Sequence, residues 1–583
     1  MITSIVILTF NHLEYTKKCI DSIRQYTNKN ECELIIVDNN STDGTVSWLK
    51  EQADIKVIYN AVNVGFPSGC NQGIAVSTGD NVLLLNNDVI VTSRWLDNLV
   101  HCLYSTSDIG AVGPVTNNAW YYQSVEVKYQ SETEMQVFAE TINRSNSHLW
   151  EERLKLVGFC MLIKKSVLDQ VGPLDERFSP GNYEDDDLSY RIRLAGFRLI
   201  LCKDTFIHHF GSISFNQNNA RLLKENRDKF LEKWGVHSDS THIRFEVTAL
   251  IDSLEDEPLN ILDIGCACGG TLLQLKNKYK NAVLYGIEIN KNAAQSAARY
   301  AEVSVQDVET MQLTYPCEFF DYILLANVLE YLKEPKKVLT EIKQYLKPNG
   351  KLLVSLPNIN HFSVIQRVLQ GFWNYEDPPN LGQTPLRFFT LYEINKIFKE
   401  LGYCVREYRM TLSPETGQDS DFIKKVAELM GEPNLAQQYR ANQYIFAARL
   451  QPPKLIYLLR RIEHDFDKAQ ALDTLMELIA SSSCSTNEIL TVIENEIVKK
   501  DDLLQTIAVS CYERKLTETA LVLLVSAYQI NVQNSLTVYY LASILSETGR
   551  ADAALSLLEQ LEEKDVKIYE LIAMIKEAQH ESE

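Results

Sequence analysis

Short apolar runs alternate with segments of helical spacing from Met1 to about residue 215. Strand-like runs cover residues 4–8, 33–37, 56–59 and 81–85, and helical spacing appears near 15–25 and 45–51. This alternation predicts an α/β domain on a mostly parallel sheet. A polar helix near residues 220–234 closes the series. A second α/β series opens at 260–264 and ends with a strand-like run at 444–450, after which Pro452-Pro453 punctuates the chain. Beyond it, about 130 residues are almost purely helical in pattern.

Residues 504–524 of that tail can be laid on 538–558. Ile507 then meets Leu541, Ala508 meets Ala542, Ala520 meets Ala554 and Leu521 meets Leu555, always 34 residues apart. The period resembles that of tetratricopeptide repeats, in which small residues let paired helices approach closely. An irregular helical bundle is the plainer alternative. The expected division is 1–236, 237–452 and 453–583.

Composition narrows the possibilities. A chain of 583 residues is too long for one core. The formal charge of −20 disfavours non-specific binding to nucleic acid or anionic membranes. The 12 cysteines are scattered singly, apart from Cys266 and Cys268, so a disulfide framework is not expected and a reducing cytoplasm is. Ile5-Val6-Ile7-Leu8 begins so close to Met1 that no signal peptide is expected. No run of about 18 apolar residues predicts a transmembrane helix.

Open α/β sheets bind ligands outside the carboxyl ends of their strands, which directs attention to two polar strand ends. Asp38 follows Leu34-Ile35-Ile36-Val37 and precedes Asn39-Asn40-Ser41, where it could hold a ligand or simply cap a helix. Asp88 follows Leu83-Leu84-Leu85-Asn86-Asn87, where a carboxylate can hold a divalent ion against a diphosphate. Further on, Glu184-Asp185-Asp186-Asp187 opens a helical pattern. Adjacent acids suit the first turn of a helix, and their mutual repulsion also raises pKa values as a general base requires. His208-His209 follows another strand-like run and offers imidazole ligands.

The ordered set Thr9-Phe10-Asn11, Asp38-Asn39-Asn40-Ser41, Asn63-Val64-Gly65-Phe66, Asn71-Gln72-Gly73, Asn86-Asn87-Asp88, Glu184-Asp185 with Asp187-Leu188, and His208-His209 with Gly211 resembles family 2 glycosyltransferases of the GT-A fold. The resemblance implies that Thr9, Phe10, Asn11, Asp38, Asn63 and Asn87 bind a nucleotide sugar and that Asp88 binds Mn²⁺ or Mg²⁺. It makes Asp185 the base for inverting transfer, with Glu184 and Asp187 beside it in the catalytic set. His208 is the first choice for a further metal ligand and His209 the second. Many relatives carry Asp where Asn86 stands, which implies a thinner metal shell here. Val157-Gly158-Phe159-Cys160-Met161-Leu162 and Asp175-Glu176-Arg177-Phe178 also fit the family's acceptor side, or equally a core strand and a turn.

The second series carries its own chemistry. Asp263-Ile264-Gly265-Cys266-Ala267-Cys268-Gly269-Gly270 follows a strand, and its glycines admit a ligand close to the backbone. Glu288 ends the next strand 25 residues after Asp263, at the spacing of an acid that grips ribose hydroxyls. A dinucleotide dehydrogenase shares those features. With Gln306-Asp307, Asp321-Tyr322-Ile323-Leu324-Leu325-Ala326-Asn327-Val328-Leu329-Glu330 and Leu346-Lys347-Pro348-Asn349-Gly350, however, the series resembles class I S-adenosylmethionine-dependent methyltransferases. The resemblance places Asp263, Gly265 and Gly269 at the methionine portion, Glu288 at the ribose, and Asp307 at the adenine, with Asn327 beside them. Ala267 stands where a glycine is usual, and Pro385 where many relatives carry histidine. His361 is the candidate substitute base.

The expected fold is thus an N-terminal GT-A nucleotide-sugar-binding domain, then a Rossmann-like methyltransferase domain, then an all-α repeat tail. The expected function is metal-dependent transfer of a sugar to an acceptor hydroxyl in a surface glycan, polysaccharide or flagellin-like glycoprotein. S-adenosylmethionine-dependent methylation of that glycan accompanies it, and the repeats are expected to receive a protein partner. The competing expectation is a glycosyltransferase whose inert methyltransferase-like domain and repeats form a scaffold.

Overall fold

The computed structural model describes residues 1–211, 219–310, 313–373, 385–432, 434–450, 454–481 and 484–582. Pro452-Pro453 and Thr384 lie outside the described residues. The chain forms two compact units, Met1–Leu450 and Gln451–Glu583, and the first contains two large sheets.

The first sheet is assembled from β1 (Thr3–Thr9), β2 (Cys32–Asp38), β3 (Ile55–Tyr59), β4 (Asn81–Asn86), β6 (Ile109–Val115), β7 (Trp150–Arg153), β8 (Cys160–Lys164) and β9 (Arg198–Phe206), while β5 (Val89–Ile90) and β10 (His208–His209) form a separate ladder. Its order is β3-β2-β1-β4-β8-β6-β9-β7. The β3-β2-β1-β4 half is parallel, and β8 runs antiparallel to both β4 and β6. Strand periodicity explains why β1 is apolar throughout. Ile5 and Ile7 pack on one face against Ile20, Ile23, Trp95 and Leu99 from two helices, whereas Val6 packs on the other face with Cys70, Ile74 and Ile192. A sheet covered on both faces needs such continuous apolar runs.

The second sheet contains β11 (Asn260–Ile264), β12 (Val283–Glu288), β13 (Glu302–Val305), β14 (Phe320–Ala326), β15 (Leu346–Pro357), β16 (Tyr403–Leu412) and β17 (Ala441–Leu450). The order is β13-β12-β11-β14-β15-β17-β16, parallel except for β17, which runs antiparallel to β15 and β16. The order reverses direction at β11, where the open crevice between β11 and β14 receives ligands in folds of this kind. The architecture is the expected pair of α/β folds followed by a helical tail.

In the second unit the helices Lys500–Glu513 and Thr517–Ile530 pair, as do Ser535–Glu547 and Ala551–Glu559. Ala508, Ala520, Ala542 and Ala554 are all fully buried, which lets the paired helices approach closely.

Candidate functional sites

Register brings the first set of polar residues together. In the parallel ladders Thr9 stands opposite Asp38 and Leu8 opposite Asn86, so three strands end side by side. The Thr9 and Thr16 hydroxyls lie 2.9 Å apart, and Asn87 donates to Thr16 at 3.1 Å. The side chain of Asn87 is therefore turned inward, as a brace for the turn. Asn11 and His12 both take left-handed backbone conformations. Asn11 N donates to Ser41 Oγ at 2.7 Å and its Oδ1 accepts from Thr42 N at 2.7 Å, which locks the loop after β1 to the loop after β2.

Asp38 is buried. Its Oδ2 accepts from Ser41 N at 3.1 Å, but Oδ1 has no partner among the described residues. A buried carboxylate oxygen left unsatisfied is costly, and a ligand donor removes the cost. Phe10 is 41% exposed beside this crevice, available as an apolar face. Asn63 is instead engaged within the protein, since its Oδ1 accepts from Gly65 N at 2.9 Å and from Asn39 Nδ2 at 3.2 Å.

Pairing of β5 with β10 sets the orientation of the two histidines. His209 faces Val89 and His208 faces Ile90. His209 Nε2 lies 3.3 Å from Asp88 Oδ1, and its Nδ1 lies 2.7 Å from the carbonyl oxygen of Asn118. A carbonyl only accepts, so Nδ1 carries a hydrogen there and the ring is fixed with Nε2 directed at the Asp88 carboxylate. Nε2 and the carboxylate oxygen lie 3.3 Å apart, an imidazole–carboxylate pair of the kind that can ligate a shared cation. The His209 ring also stacks on Phe159, with centroids 5.1 Å apart. His208 is turned away, its Nδ1 2.6 Å from the Tyr129 hydroxyl, and burial lowers its pKa. The geometry thus ranks His209 above His208, the reverse of the order expected from sequence. Among the described residues no group of three or more His, Cys, Asp or Glu side chains forms a cage, so further ligands to an ion would come from the donor or water.

The four acids occupy the first turn of the helix Glu184–Leu194 and play separate parts. Asp187 is fully buried, accepting from Arg191 Nε at 2.8 Å, Lys233 Nζ at 2.5 Å and Trp234 Nε1 at 2.9 Å. These partners occupy both oxygens and make it an anchor, so its surroundings do not support the expected catalytic part. Asp186 pairs with Lys155 at 2.5 Å. Glu184 is buried with Oε2 lacking a partner among the described residues, and burial followed by the Asp185 charge raises its pKa well above the carboxylate range. Asp185 is only partly covered. It accepts from Gly158 N at 2.8 Å and Asp186 N at 2.9 Å, and burial together with the Asp186 charge pushes its pKa up to about 6. It is the acid suited to exchange a proton near neutral pH.

Motif spacing gives no sign of the strain around these acids. Tyr121 and Tyr122, and again Asn182 and Tyr183, are consecutive residues at positive φ. Tyr121 lies under Lys155 Nζ at 4.8 Å, so both strained pairs flank the acid cluster, as strained backbone often does at functional sites.

In the second sheet Asp263, Glu288 and Ala326 lie at the carboxyl ends of adjacent strands. Gly265 and Gly269 have φ of +75° and +86°. A Cβ on Gly265 would lie 2.6 Å from Val328 Cγ2, so only glycine lets the β14 end approach this turn. Ala267 adopts φ +48°, a left-handed conformation held by its N–H donating to Glu288 Oε2 at 2.9 Å. Glu288 Oε1 accepts from Asn290 N at 2.8 Å. Asp263 is buried, and desolvation pushes it up to about 7 against the nearby Arg244 charge. Asp307 stands after β13, with Oδ1 accepting from Glu309 N at 2.9 Å. Asn327, at φ +56°, accepts from Ser355 Oγ at 2.6 Å.

His361 takes no part in this cluster. It is buried as the N-cap of the helix Phe362–Leu369, its Nδ1 2.9 Å from Ser363 Oγ, and burial lowers its pKa to about 4. A capping imidazole in the core does not suit the expected base. Glu330, which closes the run that carries the methyltransferase resemblance but has no expected part there, is 1% exposed just past β14 with neither carboxyl oxygen partnered among the described residues.

Acids and a histidine at the strand ends of one α/β sheet, with a glycine turn and an acid at those of another, define a protein with two transferase-type folds. Residues 4–172 match the family described as "Glycosyl transferase family 2", and residues 220–408 match that described as "Methyltransferase domain". The chain carries a glycosyltransferase domain followed by a methyltransferase domain, and it is an enzyme. It is 27% identical over 262 residues to the uncharacterized protein y4gI of Sinorhizobium fredii, covering 40% of this chain and 28% of that one. The low-salt glycan biosynthesis hexosyltransferase Agl10 of Haloferax volcanii is 24% identical over 293 residues, 48% of this chain and 89% of the relative. The malonyl-[acyl-carrier protein] O-methyltransferase of Halalkalibacterium halodurans is 30% identical over 132 residues, 21% of this chain and 49% of the relative. The chain therefore spans less than half the length of the first and third of these relatives. No helix among the described residues is long and apolar enough to cross a membrane.

Proposed function

We propose that the first α/β fold transfers a sugar from a nucleotide-sugar donor to an acceptor hydroxyl with inversion, and that the second methylates the resulting glycan. The observation that carries the first part is the partly covered carboxyl of Asp185, an acid whose pKa is pushed up to about 6, two residues before Asp187, whose oxygens are both engaged. Asp38 and the Thr9–Asn11 loop hold the nucleoside, and the unpartnered Asp38 Oδ1 receives one of its donors. Asp88 and His209 would hold Mn²⁺ or Mg²⁺, which when bound offsets the charge of the diphosphate. Asp185 takes the acceptor's hydroxyl proton while the acceptor oxygen forms a bond to the anomeric carbon. The bond from that carbon to the nucleoside diphosphate breaks, and the electron pair leaves with the phosphate oxygen.

In the second fold the turn from Gly265 to Gly269 would accommodate S-adenosylmethionine, with Glu288 toward the ribose and Asp307 toward the adenine. A relative named for glycan biosynthesis and one named as an O-methyltransferase support this pairing of activities. The helical repeats are read as a docking module for a protein partner, and the compartment as the cytoplasm. Ala267 favours a second reading, in which the methyltransferase fold is inert and serves with the repeats as a scaffold, because it stands at φ +48° in the turn where a glycine is usual.

A donor panel with Mn²⁺, read by mass spectrometry against surface-glycan and flagellin-like acceptors, tests the proposal. A sugar-mass adduct with one donor is expected, followed by a methyl increment once S-adenosylmethionine is added. Absence of nucleotide release with every donor would overturn the first activity, and sugar transfer without methylation would favour the scaffold reading.

A further inference from the structure

The two unpartnered oxygens of Glu330 are an anomaly that the proposed chemistry does not use. The side chain is 1% exposed, and an isolated carboxylate at such a place is strongly disfavoured. Its location is defined by its neighbours. Three residues separate it from the end of β14, and Val328, two residues before it, is the side chain that closes on the Gly265 turn. The Arg244 charge reaches both Asp263, at the end of β11, and Glu330. Glu330 thus follows closely on the β14 end that borders the crevice between β11 and β14, where the proposed cofactor's methionine portion would lie.

We propose that Glu330 is a proton-linked counter-ion for the cofactor, a carboxylic acid in the free protein that releases its proton to solvent when the cationic S-adenosylmethionine docks. The proposal rests on the S-adenosylmethionine reading given above. The cofactor carries a sulfonium, an ammonium and a carboxylate, and so has net positive charge, whereas the demethylated product S-adenosylhomocysteine is a neutral zwitterion. A carboxyl that ionises against the sulfonium discriminates between the two. It favours entry of the methyl donor, and it recovers a proton once the methyl group has left.

Burial pushes the Glu330 carboxyl up to about 8, with the Arg244 charge pulling only partly against it. Among the described residues the other charged and titratable groups about it are few. Tyr331 on its own turn is raised to about 12, by burial and by Glu330 itself. From the segment after residue 385, Arg387 N donates to the Glu330 carbonyl, and the Arg387 guanidinium is directed to Lys333 O at 2.6 Å. Asp263, at about 7, is a second group able to lose a proton, and the experiment must separate the two.

Titration calorimetry of the full chain at pH 7, in buffers of different ionisation enthalpy, counts the protons released. With S-adenosylmethionine the wild type should release about one proton more than Glu330→Gln, and S-adenosylhomocysteine should show no such difference. Relative to the variant, wild-type affinity for S-adenosylmethionine should rise by up to about tenfold per pH unit toward pH 8 and then level off. Infrared difference spectra of the wild type alone should lose a protonated-carboxyl band on adding S-adenosylmethionine, which keeps the test independent of the variant's folding. Binding with equal proton release in both proteins, or with an unchanged carboxyl band, overturns the counter-ion. No binding of either ligand by calorimetry or thermal shift overturns the cofactor reading beneath it.

Discussion

Arg193 Nη1 donates to Ser296 Oγ at 2.8 Å, and Ser296 Oγ donates in turn to the Cys268 carbonyl at 3.2 Å. Arg193 is the last residue but one of the helix that Glu184 and Asp185 begin, and Cys268 lies between Ala267 and Gly269. A buried chain of two hydrogen bonds therefore joins the acid-bearing helix of the first fold to the glycine turn of the second. Tyr121 OH, donating to Thr241 O at 2.7 Å, and Arg299 Nη2, donating to Gly196 O at 3.1 Å, tie the same two folds.

Arg193→Met removes the charge-assisted bond and leaves Ser296 without its donor. We expect a loss of about 1–3 kcal/mol of stability in urea unfolding, with weaker S-adenosylmethionine binding. An unchanged unfolding midpoint and unchanged affinity would show that the contact has no energetic role.

Asp187 and Asp185 should separate stability from chemistry. Asp187→Ala leaves Lys233 and Arg191 without their buried partner and should cost about 3–5 kcal/mol in chemical unfolding. Asp185→Asn should cost little or even stabilise, because a carboxyl whose folded pKa is raised disfavours the folded state once it ionises. That penalty is absent at acid pH and develops as pH rises from the unfolded value of 3.8 toward about 6. Equal destabilisation by both substitutions would contradict these separate roles.

The same pKa fixes a pH profile for sugar transfer. Asp185 must be ionised to accept the acceptor proton, so turnover should fall about tenfold per pH unit below about 6 and level off above it. A profile flat from pH 5 to 8 would assign the limiting step elsewhere.

Ala267→Gly should relieve a left-handed conformation that costs an L-residue about 1 kcal/mol. Thermal unfolding is expected to shift up or stay level, and S-adenosylmethionine affinity to rise as the turn widens. Lower affinity would mean that the methyl is a contact rather than an obstruction.

Sequence pattern is most informative where a strand ends. Asp38, Asp88, Asp263 and Glu288 are legible because an acid that closes a buried apolar run stands at the carboxyl end of a strand, where an open α/β sheet receives its ligands. The histidines show the limit. Adjacent strand residues point to opposite faces, so one of His208 and His209 has to face Asp88, but only the β5–β10 register decides which. Motif position alone suggests catalysis for Asp187 and His361, whereas their roles as anchor and cap depend on Lys233, Trp234 and Ser363. The parts of Glu330 and Arg193 are not legible, although Glu330 ends a run that carries the methyltransferase resemblance. The significance of each arises from its surroundings in the fold, burial without a partner for Glu330 and the distant Ser296 for Arg193.

The central claim, that Asp185 removes the acceptor proton in a sugar transfer, is tested most directly by nucleotide release with the active donor and Mn²⁺ in wild type and Asp185→Asn. The variant should keep its donor affinity and lose about a hundredfold to ten-thousandfold in turnover. Undiminished turnover in a folded Asp185→Asn protein would contradict the claim.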